Sequence, residues 1–195
     1  MSRHLVIFAR LPRLGTGKRR LAADIGALAA LRFQRRTLGA VIRSLGSDPR
    51  WKTWLAVTPA RGGPWPYRLP LIRQVEGDLG QRMFNVFAAL PPGPAMIIGS
   101  DIPAIRPSHI AAGFKALGHH DAVFGPAADG GYWLIGLRRR PRLLDPFDDV
   151  RWSTRHALAD TQRNLPRCRL AFLPMLEDID DAAALRRSKE RVRAL

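Results

Sequence analysis

Four short stretches of the sequence carry residues suited to chemistry rather than packing. The first, Pro12-Arg13-Leu14-Gly15-Thr16-Gly17-Lys18-Arg19-Arg20-Leu21, sets two glycines and four cations directly after an apolar run. Backbone N–H groups at such a turn, with cations around them, favour phosphate. It is not a P-loop, which requires Gly at position 12 and Ser or Thr at 19, and it lacks the G-x-G-x-x-G of a dinucleotide site. A solvated, arginine-rich helix start remains the alternative. In the second stretch, Gly99-Ser100-Asp101-Ile102-Pro103, a carboxylate follows a buried strand, where it can hold Mg²⁺ or Mn²⁺ against substrate phosphates or simply cap a turn. The third, Gly125-Pro126-Ala127-Ala128-Asp129-Gly130-Gly131-Tyr132, lets the backbone approach a ligand closely, and equally fits a plain hairpin turn. The fourth is Glu177-Asp178-Ile179-Asp180-Asp181, in which residues 178 and 180 share one side of an extended segment or compensate the dipole of a following helix. A basic loop, a strand-end aspartate and an acidic cluster together are what metal-assisted transfer at phosphate requires.

Other chemistry-bearing residues fall away. His119-His120 reads as the end of a helix, and His4, His109 and His156 have no partner spacing. Trp51, Trp54, Trp65, Trp133 and Trp152 read as packing residues, although Trp133, beside the glycine turn, is placed to line a pocket. No Ser-His-Asp or Cys-His arrangement is legible.

The elements that must position these residues follow from periodicity. Leu5-Val6-Ile7-Phe8-Ala9 is a strand buried on both faces, hence a central parallel one. Leu28, Leu31, Leu38, Val41, Ile42 and Leu45 recur at helical spacing, and Gly46 follows them. Trp54–Val57 and Leu71–Val75 read as strands separated by a Pro/Gly-rich loop. Met83, Phe84, Phe87 and Leu90 form a helical stripe, Ala95–Ile98 the next buried strand, and Ile110, Phe114 and Leu117 another helix. Ala122–Phe124 and Tyr132–Leu137 flank the Asp-Gly-Gly turn, which implies a hairpin or bulge. A helix opens near Ser153-Thr154, a strand runs from Leu170 to Leu173, and a last helix starts near Ala182. The order predicts an α/β fold with a mostly parallel mixed sheet covered on both faces, in one domain over residues 1–195.

Composition narrows the class. Hydrophobic residues at 46% and charged residues at 25% exclude a disordered tail or a disulfide scaffold. Lys plus Arg number 32 against 16 acids, a formal charge of +16 that attracts polyanions. One cysteine, Cys168, suits a reducing compartment. The longest N-terminal apolar run spans only residues 5–9, so a cytoplasmic protein without a spanning helix is expected.

Read in order, Lys18-x-Arg20-Leu21, Gly77-Asp78-Leu79-Gly80-Gln81-Arg82-Met83, Gly99-Ser100-Asp101-x-Pro103, Gly125 to Leu137, Trp152-Ser153-Thr154 and Asp178-Ile179-Asp180 resemble the motifs of the DUF2064 family. That family lies in the nucleotide-diphospho-sugar transferase superfamily, with relatives among deazaflavin-cofactor and molybdenum-cofactor guanylyltransferases and arsenosugar-pathway glycosyltransferases. The resemblance implies a single-domain GT-A, Rossmann-like three-layer sandwich and a nucleotide or nucleotide-sugar donor with a small-molecule acceptor. It further implies that Asp101 and Lys18 are catalytic, and that Asp101, Asp178 and Asp180 hold Mg²⁺ or Mn²⁺. Gly15, Lys18, Arg20, Leu79, Gly80, Arg82, Asp129, Gly130 and Gly131 would then contact the nucleotide. The chain departs from the family pattern at Arg10, Arg19 and Ile102, where Lys, Thr and often Cys are usual, and at Asp181-Ala182, where Thr-Pro is usual. Two function classes result: a metal-dependent glycosyl- or nucleotidyltransferase, and a non-specific nucleic-acid-binding protein suggested by the charge alone.

Overall fold

The computed structural model describes residues 2–59, 65, 67–177, 179 and 181–186. Seven strands form one mixed sheet: β1 (His4–Arg10), β2 (Lys52–Thr58), β3 (Leu71–Arg73), β4 (Ala95–Gly99), β5 (Ala122–Pro126), β6 (Tyr132–Leu137) and β7 (Leu170–Phe172). Their spatial order is β3-β2-β1-β4-β6-β5-β7, and only β6 runs antiparallel to its neighbours. As the apolar run predicts, β1 is central and parallel to both partners. Between β5 and β6 both expectations for the glycine turn are realised, a hairpin and a register shift at Gly125/Pro126.

Helices cover both faces because side chains alternate along each buried strand. Leu5 and Ile7 of β1 meet Leu38, Val41 and Leu45 of α2 (Ala27–Leu45) and Ile110 and Phe114 of α4 (Pro107–Ala116). Val6, from the same strand, points the other way, into a cluster with Met83, Val86 and Phe87 of α3 (Leu79–Ala89). α5 (Ala157–Arg163) follows β6. The result is the expected three-layer sandwich. Among the described residues no helix is long and apolar enough to cross a membrane.

Two differences from the sequence reading bear on the site. The arginine-rich motif, read as a turn or as a solvated helix start, does both: from Arg19 it winds into a separate short helix, α1 (Arg19–Ile25), anchored by buried Leu21. Gly26, at φ 86, divides α1 from α2. β3 ends at Arg73 rather than at Val75, because Gln74 is buried and turns its amide inward to the Ala56 carbonyl at 2.9 Å. The predicted C-terminal helix is present over 182–186, and the remainder of that prediction lies outside the described residues.

At the start of α3 the capping box predicted by no propensity argument is complete: Asp78 accepts from the Gln81 N–H at 2.8 Å, and Gln81 accepts from the Asp78 N–H at 3.0 Å. One turn in, Gly80 lies beneath the 145–152 segment. A Cβ there would sit 2.7 Å from the Phe147 Cβ and 2.9 Å from the Trp152 Cζ2. Gly80→Ala is therefore expected to lower stability by about 1–3 kcal/mol through overpacking, read as a fall in denaturant midpoint with an unchanged slope. An unaltered midpoint would mean that the Phe147–Trp152 cover is not seated on α3.

Candidate active site

The order of strands reverses between β1 and β4: the chain runs from β1 outward to β2 and β3, then crosses back to β4 on the other side. In open α/β sheets ligands gather outside the carboxyl ends of the strands at such a point. Two of the four stretches start there. β1 ends at Arg10 and enters the glycine loop, and β4 ends at Gly99 and enters Ser100-Asp101.

The loop folds by departing from the right-handed region at Gly15 (φ 76), Gly17 (φ 72) and Lys18 (φ 43, ψ 45). For lysine a left-handed backbone costs on the order of 1–2 kcal/mol. That conformation turns the side chain inward, where it is only 7% exposed, and the ammonium reaches the Asp101 Oδ2 at 2.7 Å. Asp101 keeps 42% of its side chain exposed, so the pair is anchored on the protein side and open on the other. A side chain at Gly99 would press on Asp101, its Cβ falling 3.0 Å from Oδ1.

Cavities flank this pair. One, of about 210 Å³, lies towards α2, and its lining includes Arg10, Lys18, Gln34, Thr37, Ser100 and Asp101. The other, of about 250 Å³, is lined by Leu79, Asp101, Asp129, Gly131, Trp133 and Trp152, among others. Asp101 is the one described residue common to both linings. The first cavity holds the cations Arg10 and Lys18. Among the described residues, the lining of the second contains two carboxylates and no Lys, Arg or His.

The walls of the second cavity come from β6 and from the turn before α5. Trp133 is buried, its indole N–H donating to the Pro174 carbonyl at 3.1 Å. Its ring lies where a Cβ on Gly125 would be, so Gly125 is glycine for the sake of this wall. Tyr132 meets Trp152 edge-on with centroids 6.5 Å apart, and burial holds its phenol far above the ordinary tyrosine range. Asp129 accepts from the Gly131 N–H at 2.9 Å, closing the turn. Gly130, at φ 85, passes directly against the Arg155 backbone.

Trp152, Ser153 and Thr154 are brought to the cavity by a clamp one helix away. The Asp160 carboxylate, only 1% exposed, accepts from the Arg151 Nε and Nη2, both at 2.8 Å, and from the Arg151 N–H at 3.1 Å. Arg163 lies 3.2 Å from its other face. These hydrogen bonds from Arg151 hold the Asp160 carboxyl well below the usual carboxylate range. Sequence reading took Trp152 as a packing residue and placed a helix start near Ser153-Thr154, whereas α5 begins at Ala157, and it missed Asp160 altogether. The partner of Asp160 is nine residues away in a non-helical turn, and no local pattern marks such a pair.

The expected site residues thus separate. Lys18 and Asp101 meet, and Leu79, Asp129 and Gly131 join Asp101 around the second cavity. Gly15 lines a smaller neighbouring cavity with Arg13, Arg19 and Gln34. Arg20 is exposed on α1 and lines none of these cavities, and Arg82 directs its Nε to the Gly77 carbonyl at 2.9 Å. Gly80 and Gly130 serve close packing. Asp178 and Asp180 lie outside the described residues. The neighbouring Leu176 donates its N–H to the Pro126 carbonyl at 3.1 Å, and Ala182 donates to Asp24 of α1 at 2.9 Å. His120 lies just past the end of α4, its Nδ1 3.0 Å from the Ala116 carbonyl, as expected of a residue at a helix C-terminus.

Among the described residues no three His, Cys, Asp or Glu side chains gather as a metal cage. Asp101 alone still fits a hard cation, because Mg²⁺ is commonly held by one or two carboxylates together with substrate phosphates. Its half-exposed oxygens, beside a cationic cavity, are of that kind.

A family model described as an uncharacterized protein conserved in bacteria (DUF2064) matches residues 36–154. No curated protein matches the chain. Among solved structures, a provisionally named nucleotide-diphospho-sugar transferase from Desulfovibrio desulfuricans G20 is similar over 100% of this chain and 98% of its own, with a TM-score of 0.85 and 24% identity. The 4-diphosphocytidyl-2C-methyl-D-erythritol synthase of Anaerococcus prevotii is similar over 98% and 96%, with a TM-score of 0.64 and 9% identity. The glucosyl-3-phosphoglycerate synthase of Mycobacterium tuberculosis, in complex with Mn²⁺, UDP and glucosyl-3-phosphoglycerate, is similar over 91% and 70%, with a TM-score of 0.56 and 10% identity. These likenesses establish a fold used by both nucleotidyl- and glycosyltransferases.

The Asp160 clamp yields a test of sign. A carboxyl whose pKa is lowered on folding stabilises the protein above its unfolded value, roughly pH 3.9, and that contribution is lost as pH falls through the folded value. Asp160→Asn is expected to melt below wild type at neutral pH, with the gap narrowing as the solution is acidified below about pH 4. A gap independent of pH would show that shape rather than charge makes the clamp.

Proposed function

The chain belongs to the DUF2064 family, whose model spans more than half of it, and on that premise we propose that it is a metal-assisted transferase. In this reading it moves a glycosyl or nucleotidyl group from a nucleotide donor to a small acceptor. One observation carries the reading: two cavities of opposite character meet at a single carboxylate, Asp101, which a nearly buried lysine engages at 2.7 Å. Group transfer needs two ligands side by side with charge control at the junction.

The cationic cavity takes the donor phosphates. Lys18, shielded from water, acts more strongly on them than a surface lysine would, since the local dielectric is lower. Arg10 adds charge from the end of β1. Asp101, with Asp178 and Asp180, would hold Mg²⁺ or Mn²⁺. When bound, such an ion supplies Lewis-acid stabilisation of phosphate oxygens. In glycosyl transfer the sugar–phosphate bond breaks, and in nucleotidyl transfer the bond between two phosphates breaks. In both, negative charge grows on the departing phosphate oxygen, and Lys18 is placed to balance it. The acceptor occupies the second cavity, so Leu79, Asp129 and Gly131, expected at the nucleotide, pass in this reading to the acceptor side. The lone cysteine accords with a cytoplasmic location. Nothing in the comparisons supports the nucleic-acid-binding alternative.

Calorimetry with common nucleoside triphosphates and nucleotide-sugars, in Mg²⁺ or Mn²⁺ and in chelator, tests this directly. Wild type is expected to bind at least one of them better with metal. Asp101→Asn should lose the metal-dependent part and be nearly inactive, while Lys18→Ala weakens binding about ten- to a hundredfold, the loss of one charge-assisted phosphate contact of roughly 1.5–3 kcal/mol. Arg36→Ala, on the exposed face of α2, is the control and should change nothing. Metal-independent binding in wild type, or three equal variants, would remove the site.

A further inference from the structure

The second cavity contradicts the character of the protein around it. The chain carries 32 cations to 16 acids, yet the described lining of this cavity holds Asp101 and Asp129 and no cation. The Asp101 charge is already engaged by Lys18 from the other side. Asp129 has no cation beside it in that lining; its Oδ1 accepts the Gly131 N–H. The rest of the described lining is largely apolar or aromatic, with Leu79, Ile102, Ala127, Trp133 and Trp152, and Ser153 and Thr154 add hydroxyls.

We infer that the acceptor taken here is a small, uncharged or cationic hydroxyl compound with an apolar or flat face, and not a phosphorylated or carboxylated one. The inference rests on the donor–acceptor division proposed above and specifies its second partner. Bringing an anion beside Asp129 sets like charges together in a partly dry site, at a cost of several kcal/mol. A divalent ion at Asp101 does not reverse this, since the phosphates of either donor together with the Asp101 carboxylate carry more negative charge than the ion neutralises. Volume points the same way. At about 250 Å³ the cavity is smaller than the roughly 300–1,000 Å³ of pockets for drug-sized ligands. Ring contact with Trp152, which is partly exposed, suits a sugar ring or a planar group.

Two measurements decide it. The first needs neither donor nor acceptor. Quenching of tryptophan fluorescence by caesium and by iodide is compared in the full chain, and the Trp152 component is isolated by difference from Trp152→Phe. A protein of charge +16 should overall be quenched better by iodide. Trp152 is expected to show the reverse preference, and Leu79→Lys, which adds a cation to the rim, should shift it towards iodide. Iodide preference at Trp152 in wild type would overturn the inference. The second uses glucose, glucosamine and glucose 6-phosphate with each donor that calorimetry identifies, comparing transfer with donor hydrolysis. Glucose 6-phosphate is expected to be worse than the better of the other two by on the order of a hundredfold in kcat/KM, and the ratio should shrink in Leu79→Lys. A phosphorylated acceptor preferred in wild type sinks the inference while leaving the transferase reading intact. Absence of any donor binding sinks that reading and leaves the quenching result standing.

Discussion

The ion pair between Lys18 and Asp101 is the constraint on which the rest of the arrangement depends. It ties the loop after β1 to the end of β4 across the point where the strand order reverses. Around that tie, Thr16 bonds back to Arg13, and Gln34 of α2 reaches the Thr16 carbonyl at 3.5 Å. The pair fixes where Lys18 must point, and Lys18 can point there only from a left-handed backbone, which Gly17 before it shares. A strained lysine survives where its surroundings overdetermine it, and such positions concentrate at working sites. The same pair separates the local charges, with the ammonium and Arg10 lining one cavity, Asp129 the other, and Asp101 between the two.

The wall opposite Lys18 rests on a second constraint, the space left for aromatic rings. Phe87 stacks on Phe147, Phe147 meets Trp152, Trp152 meets Tyr132, and Tyr132 meets Phe124, with centroids 5.7–6.5 Å apart. Each contact is worth about 0.5–1.5 kcal/mol beyond its buried area. The chain of rings runs from the middle of α3 to the cavity wall. Three glycines of the recognisable motifs are explained by this wall or the turn beside it: Gly80 under Phe147 and Trp152, Gly125 under Trp133, and Gly130 against the Arg155 backbone. Gly80 and Gly130 were expected at the nucleotide, but in the fold what approaches them is other protein.

That distinction marks what the sequence could convey. The continuous apolar runs at 5–9 and 95–98 identify the central strands, because only a strand covered on both faces tolerates them. A carboxylate after one such run is then placed at a sheet end by geometry alone, which is why Asp101 was legible. Lys18 was legible as a cation in the right loop, although its burial was not, since burial arises from a single backbone torsion and an ion pair 83 residues away in the chain. Asp160 was illegible for the same reason. It is an acidic residue inside an ordinary helix, and its worth depends on Arg151 folding back through a turn that no local pattern predicts. α1 was hidden because arginines give no apolar stripe, and Leu21 alone marks its buried side.

Net charge, the most conspicuous number in the sequence, acts on a different length scale from the site. At physiological ionic strength a surface charge is felt over about 8 Å. The arginines along the solvent face of α2 and elsewhere therefore raise the rate at which a polyanion arrives near the protein, but they do not determine what fits beside Asp129. Contact chemistry there is governed by the groups that line the cavity, and these are acidic, aromatic and small. A basic surface and an acidic cavity are thus compatible, and under the proposed division of donor and acceptor they favour a polyanionic donor over a polyanionic acceptor. A nucleic-acid-binding surface would require the reverse economy, with cations lining the concave surface as well as the exterior.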